Sequence, residues 1–535
     1  MKDIKYAKII NILLVLLIVT QPFLEVFYIN NGSFEMFGFQ ISTIVRLILF
    51  GIISLFMLLN FKSLKNKKSF IFYLILVIIF FALHHYNALD FYSYIPGNLN
   101  YSLFEEVFYY IRMLIPVFLI YYVWNSNFSN LSFSRSSFVI VGLIIFTIFI
   151  SNIFKFSLCS YNDNIISGNI FDWFINPGMY GYLSLASRGI FSNIIVYYLV
   201  ILFLPYIIYK LFEQKGAMKY LAYLFIVIAM FSSYMVGTKA TTLGFIIIII
   251  MYLLLSIFFT IIKRDFKNSW SKICFLSLIL TTSFLMINFS PMLNRTATDN
   301  KIENDKQEVD TSKENEIDED EIIKYLDPKD KETIKNENQN INVNSALGMI
   351  KDVNVKKLML VELLDKHYQS YGINLQFIET SYSYKHDPFF WKNFVDTTYY
   401  FERSNNRMVV QQIFDRIFEV NDNSYDKFFG ITYSRTSKVF NLERDFLYQY
   451  YSMGLIGCTL LLGPYILVLL ISGIYMLLNF KKKFTLENCS LMLGIGLVLC
   501  LGFYSGNTLE NLAITIPLGI MCGYLLKNVL SKERK

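Results

Sequence analysis

The sequence predicts an all-α polytopic membrane protein of about twelve transmembrane helices, with one large extracytoplasmic loop domain between the ninth and tenth. Three observations carry this. Hydrophobic residues make up 55% of the 535 and charged residues only 17%, a balance too apolar for a soluble fold of this length. Runs of roughly 18 or more apolar residues, the length a bilayer core asks of a helix, recur along nearly the whole chain. Short basic clusters then alternate with these runs in a pattern that one orientation explains.

The spans fall near 8–27, 41–60, 69–88, 106–124, 138–155, 190–210, 218–236, 242–262, 273–291, 449–479, 486–506 and 511–527. No small-residue cleavage site follows the first run and further spans come at once, so 8–27 is expected as a retained helix. Lys and Arg cluster at MKDIKYAK, 61–68, 210–219, 263–272, 481–483 and the tail KNVLSKERK. All six belong on the cytoplasmic side, which places both termini there. Arg135 is the weakest of the inner-loop charges, standing alone in its loop.

Four regions follow. Residues 1–291 hold helices one to nine, and residues 446–535 hold the last three. Between them, 292–341 is acidic, rich in Asn, Lys and Glu, and is expected to be a solvated linker that cannot bury enough apolar surface to fold. Aromatic and apolar residues return over 342–445, a mostly helical outer domain. In NRMVVQQIFDRIFEV, Val409, Ile413, Ile417 and Phe418 share one helical face, which is expected to lie against the outer mouth of the bundle. No internal repeat is visible.

Several classes drop out. The six cysteines are scattered and the outer segment has none, which excludes a disulfide scaffold or a cysteine zinc site. The four histidines, His84, His85, His367 and His386, lack metal-ligand spacing. A net charge of +7 is distributed among short loops, so membrane topology accounts for it and no nucleic acid is implied.

Three outer-face stretches put specific polar residues at helix ends: SRGIFSN (187–193), GTKATTLG (237–244) and ERDFLYQYYSMGLIG (443–457), the last preceded by NRMVVQQIFDRIFE and KFFGITYS. Together they resemble the bacterial O-antigen polymerase and ligase family, membrane glycosyltransferases that act on glycans carried by undecaprenyl diphosphate. Arg188, Gly189, Phe191 and Asn193 resemble the family's Arg-Gly-Phe-Asn stretch, although Ile194 and Ile195 stand where Pro-Asn is usual. Lys239 takes the place of the arginine in the family's outer Gly-Ser-Arg motif. Glu443 stands eleven positions before Gly454, where the ligase branch commonly has His, with Asp445 and Gly457 completing the motif.

The resemblance implies glycosyl transfer without a cofactor. A sugar on a lipid diphosphate already has a good leaving group, so no second carboxylate is required to protonate it. Cations on the diphosphate are required, and Arg188, Lys239 and Arg407 are the outer-face candidates. One carboxylate suffices to take the proton of the attacking hydroxyl. Glu443 is the candidate base, with Asp445 beside it. The alternative stays open that Asn441 caps the helix and both carboxylates only favour its dipole.

Gly454 and Gly457 are expected to permit close packing. Arg46 and Arg112 lie inside apolar spans and are either functional or long enough to snorkel. Trp391 is available to stack on a glycan. The expected partners are the lipid bilayer and an undecaprenyl-diphosphate-linked oligosaccharide, and the resemblance implies work beside a flippase and a chain-length regulator. Transfer to a second lipid-linked repeat makes a polymerase, for capsule or another surface polysaccharide; transfer of finished glycan to another acceptor makes a ligase. A lipid-linked oligosaccharide flippase is the reading from another class. Such transporters show related halves and short loops on both faces, whereas this chain has one large, one-sided loop.

Overall fold

A computed structural model describes residues 4–531 except 30–34, 37–38, 95–98, 160–184, 265, 294–318, 338–341, 379–381, 404 and 441. Among the described residues, eleven helices are long and apolar enough to cross a membrane. A twelfth, α1 (Ile4–Val19), is shorter. The spans continue as α2 (Ile41–Leu59), α3 (Lys67–Leu89), α4 (Leu103–Asn125), α5 (Asn130–Phe154), α6 (Tyr198–Phe212), α7 (Ala217–Met235), α8 (Lys239–Lys263) and α9 (Phe266–Ile287). Among the described residues, apart from one pair of two-residue strands, the regular structure is helical. The expected all-α membrane architecture is therefore what the chain adopts.

The outer domain between α9 and the last spans includes α10 (Val353–His367), α11 (Pro388–Thr397), α12 (Asn406–Asn421) and α13 (Tyr433–Val439). Its core gathers Trp391, Tyr382, Phe377, Phe414 and Tyr451. Trp391 is fully buried, edge-on to Phe390 and Phe394, so it serves packing and is not a platform for sugar. The amphipathic reading of α12 holds for Val409, Ile413 and Ile417, all buried, and Phe414 joins them by stacking on Tyr451 at 5.0 Å.

Part of the expected linker is folded. Glu319–Ile323 and Pro328–Glu337 are helical, and Ile322 and Leu326 bury against Met359, Leu360 and Leu363 of α10. The acidic composition hides a short apolar strip, Ile322, Ile323, Tyr325 and Leu326, which needs only one partner helix to cover it. The remainder of that linker, 294–318 and 338–341, lies outside the described residues.

Four further helices close the bundle, the first two standing where one span was expected. The expected continuous span 449–479 is two helices, α14 (Asp445–Leu461) and α15 (Gly463–Leu478), and α14 is itself interrupted at Gly454, whose φ of 66° no helix contains. There the turn at Gly430 packs backbone to backbone: Ile431 N donates to Tyr451 O at 2.9 Å and Thr432 N to Ser452 O at 3.0 Å. These bonds satisfy carbonyls that the interruption frees. The chain ends with α16 (Leu486–Tyr504) and α17 (Leu512–Leu530).

The pair α4 and α17 forms the centre. Gly519 and Gly523, four apart, let α17 approach so closely that a Cβ on either would meet the carbonyl oxygen of Pro116 or Ile120. This is the small-residue spacing that membrane helices use to bring backbones together. At one end of the bundle the basic loops converge. Lys210 pairs with Glu213, Lys219 donates to Ser271, Lys483 caps the end of α17, and Lys527 reaches Phe128 O at 2.5 Å. The outer domain covers the opposite end.

Candidate functional site

The site is built where three chain connections meet the outer domain. The first follows α1. Pro22 ends that helix earlier than the sequence suggested, leaving a one-turn helix, Gln21–Leu24, and then an extended stretch. Phe27 N donates to Ile190 O at 3.0 Å and Ser192 N to Glu25 O at 2.8 Å, so the SRGIFSN stretch is held as a short antiparallel bridge. Arg188 sits in the 3₁₀ turn Ala186–Gly189 just before it. Ser187 Oγ donates to Met235 O at 2.9 Å, tying this turn to the end of α7 and so to the rim where Lys239 opens α8. Lys239 is exposed there, with Thr238 capping the helix.

The second connection precedes α14. The helix starts at Asp445 with Arg444 as N-cap, so Glu443 lies outside it; Asn441, the expected cap, is outside the described residues. Glu443 is half exposed and is bound by Arg407 from the start of α12. Nε at 3.0 Å and Nη2 at 2.7 Å both donate to Oε2, while Nη1 donates to Tyr504 O at 3.3 Å. Arg407, expected on the diphosphate, is thus engaged with the carboxylate that was expected as base.

Asp445 behaves differently. It is 2% exposed, and its Oδ2 accepts from Thr508 N at 2.9 Å and Leu509 N at 2.6 Å. It anchors the third connection, the tight turn before α17, in which Gly506 and Asn507 both have positive φ. A residue away, Glu510 is pointed inward.

Between these connections lies a cavity of about 840 Å³, within the range of ligand pockets. Its walls include Glu25, Arg46, Arg112, Asn193, Asn507 and Glu510, with Tyr433 and Tyr448 above. Arg46 is 3% exposed and does not snorkel: Nη2 meets Glu25 Oε1 at 2.5 Å and Nε meets Gln21 Oε1 at 2.8 Å. Arg112, nine residues into α4 and so about 14 Å along its axis, also turns inward, its guanidinium 5.3 Å from the centre of the Tyr109 ring. Burial pushes the Glu510 carboxyl above its usual range, opposed by Arg112 and by hydrogen bonds from Tyr109 and Gln449.

A family model described as O-antigen ligase like membrane protein matches residues 7–532. The chain belongs to that family. No curated protein and no solved structure matches it. Membership of the O-antigen ligase-like family makes this a multi-pass membrane protein of glycan transfer, acting on a lipid-linked glycan.

Of the motif residues in this family member, Asn193 lines the cavity, and Arg407 and Glu443 do not. Arg407 and Glu443 meet. Arg188 and Lys239 share the neighbouring edge, and among the described residues neither lines the cavity. Glu510 was missed by sequence reading because it sits in a short polar turn, SGNTLEN, that looked like a plain connection. A carboxylate two residues before an apolar run was the only signal.

Proposed function

We propose that this protein is a polysaccharide polymerase. It transfers a glycan from undecaprenyl diphosphate to a sugar hydroxyl of a second lipid-linked repeat unit, with inversion and without a metal, at the outer face of a bacterial plasma membrane. The observation that carries the reading is the one-sided grip on Glu443. Arg407 occupies Oε2 with two nitrogens, and neither bond uses Oε1. A carboxylate oxygen outside the ion pair is the position from which a base takes the proton.

The hydroxyl oxygen then bonds to the anomeric carbon as its proton passes to Oε1. The bond from that carbon to the diphosphate oxygen breaks, and its electron pair leaves with the diphosphate. Arg188 and Lys239 on the rim are the cations for that departing charge. Asp445 acts on the geometry of the 506–510 turn and does not touch substrate.

The gathering of basic loops at the end opposite the outer domain supports an orientation with both termini cytoplasmic. The test of the function is the glycan profile of a deletion strain. Accumulated single repeats on the lipid carrier are expected. Accumulated full-length polymer on the carrier would instead identify a ligase, which uses the same chemistry on a different acceptor.

A further inference from the structure

Two arginine–glutamate pairs line the cavity, and they differ. Glu25 and Arg46 are closed at 2.5 Å, with Gln21 on the remaining Nε. Glu510 and Arg112 are held apart. Glu510 Oε1 accepts from the Tyr109 hydroxyl and from Gln449 Nε2, which draw the carboxylate back. Oε2 is left 4.0 Å from Arg112 Nη2, well beyond the ~3.2 Å limit of an N–H···O hydrogen bond. Arg112 Nε is buried and has no acceptor among the described residues. Leaving such a donor unmet costs free energy, so the opening suits a ligand that fills it.

The chemistry of the opening selects the ligand class. The two arginines and two glutamates sum to zero formal charge, so the walls carry no excess positive charge to match a diphosphate. Asn193, Asn507 and the Tyr433 and Tyr448 hydroxyls add neutral groups that both donate and accept. A hydroxyl can donate to Glu510 Oε2 while accepting from Arg112, which bridges the gap in one step. We propose that this cavity is a sugar subsite in which Arg112 and Glu510 jointly bind a ring hydroxyl of the lipid-linked glycan. This rests on the glycan-transfer reading above and adds the residues that select the sugar.

The experiment uses the purified full-length protein in detergent, with lipid-linked repeat units extracted from a strain lacking the enzyme as the probe. Glu510→Gln keeps the shape and loses the charge. A hydrogen bond to a charged group is worth about 10- to 100-fold in affinity, so KM should rise at least about 10-fold with kcat within about threefold. The thermal shift that the probe induces should shrink in parallel. Arg112→Lys keeps the cation and loses the fork, and should show the same KM effect; it serves as the readout if Glu510→Gln folds poorly.

Unchanged KM and thermal shift in the folded variants would overturn the proposal, and would mean that water alone bridges the pair. A fall in kcat at constant KM would also overturn it. If the wild type is stabilised by the probe but transfers nothing, while Glu510→Gln is not stabilised, the subsite stands and the polymerase reading fails.

Discussion

Arg407 holds Glu443 by one carboxylate oxygen, from a helix that begins 37 residues earlier in the chain. The pair is solvent-facing, with side-chain exposures of 40% and 49%, so its contribution to stability is at most about 1 kcal/mol. Its role therefore has to be read through activity. Glu443→Gln keeps the size and the bond to Arg407 but cannot take a proton. The transfer rate should fall at least about 10²-fold, with KM and expression close to wild type. Normal polymer made by this variant would return Glu443 to a role in orienting the helix entrance.

Asp445 is expected to report on folding first. Its Oδ2 accepts two backbone N–H bonds of the 506–510 turn while almost fully buried. A hydrogen bond to a charged group contributes roughly 1.5–3 kcal/mol. Asp445→Ala should lower the melting temperature clearly and reduce activity through the displaced turn. Asp445→Asn should lose less activity than Glu443→Gln. A variant that melts like the wild type yet transfers nothing would give Asp445 a direct part in the chemistry.

Membrane helices were legible because apolar run length is a local property of the chain. The motifs singled out Arg407 and Glu443 separately, and the fold brings them, 36 positions apart, into contact. What could not be read was depth. Arg46 and Arg112 each had enough side-chain length to snorkel, and only the inward carboxylates of Glu25 and Glu510 decide against it. Those carboxylates come from the far ends of the chain. The surroundings of Asp445 could not be read for a related reason: its partners are backbone amides more than sixty residues on, which no side-chain pattern announces.

Lys239 is the residue whose role depends most on charge alone. It is exposed at the first turn of α8, and no packing is lost when it is shortened. Lys239→Ala should weaken transfer without lowering the melting temperature, whereas Lys239→Arg should retain much of the rate, because either cation can face a diphosphate. Initial rates with extracted lipid-linked repeats decide this. Equal rates for alanine and wild type would remove Lys239 from the site.

Orientation is checked by labelling. In a chain whose six cysteines have been replaced, Tyr425→Cys lies on an exposed part of the outer domain and Lys481→Cys on the basic loop between α15 and α16. An impermeant maleimide should modify the first in intact cells and the second only after lysis, given a permeable cell wall. The reverse pattern would place the outer domain in the cytoplasm and remove the basis for the proposed function.

The glycines at the break in α14 make the last case, and it separates packing from chemistry. Gly430 and Gly454 both have positive φ, 77° and 66°. A Cβ on Gly430 would collide with the backbone of Ser452, and one on Gly454 with the backbone of Phe428. Neither neighbour is a flexible side chain, so neither can yield cheaply. A Cβ on Gly457 would meet Met453 Cβ at 2.5 Å and the Phe80 ring at 2.6 Å; the ring can turn aside and Met453 Cβ moves only with its helix, but Gly457 carries no positive φ to add strain. Gly496, inside α16, has nothing within 4 Å of its missing Cβ and serves as the control. Gly454→Ala and Gly430→Ala should each lose several kcal/mol from backbone strain and overlap together and fall sharply in expression. Gly457→Ala should be milder, and Gly496→Ala neutral or slightly stabilising, since alanine is the better helix former. Melting temperatures of the four purified variants test the order. If Gly454→Ala melted like Gly496→Ala, the break would not be a fixed feature, and the carbonyls of Tyr451 and Ser452 would not need the turn at Gly430 to satisfy them.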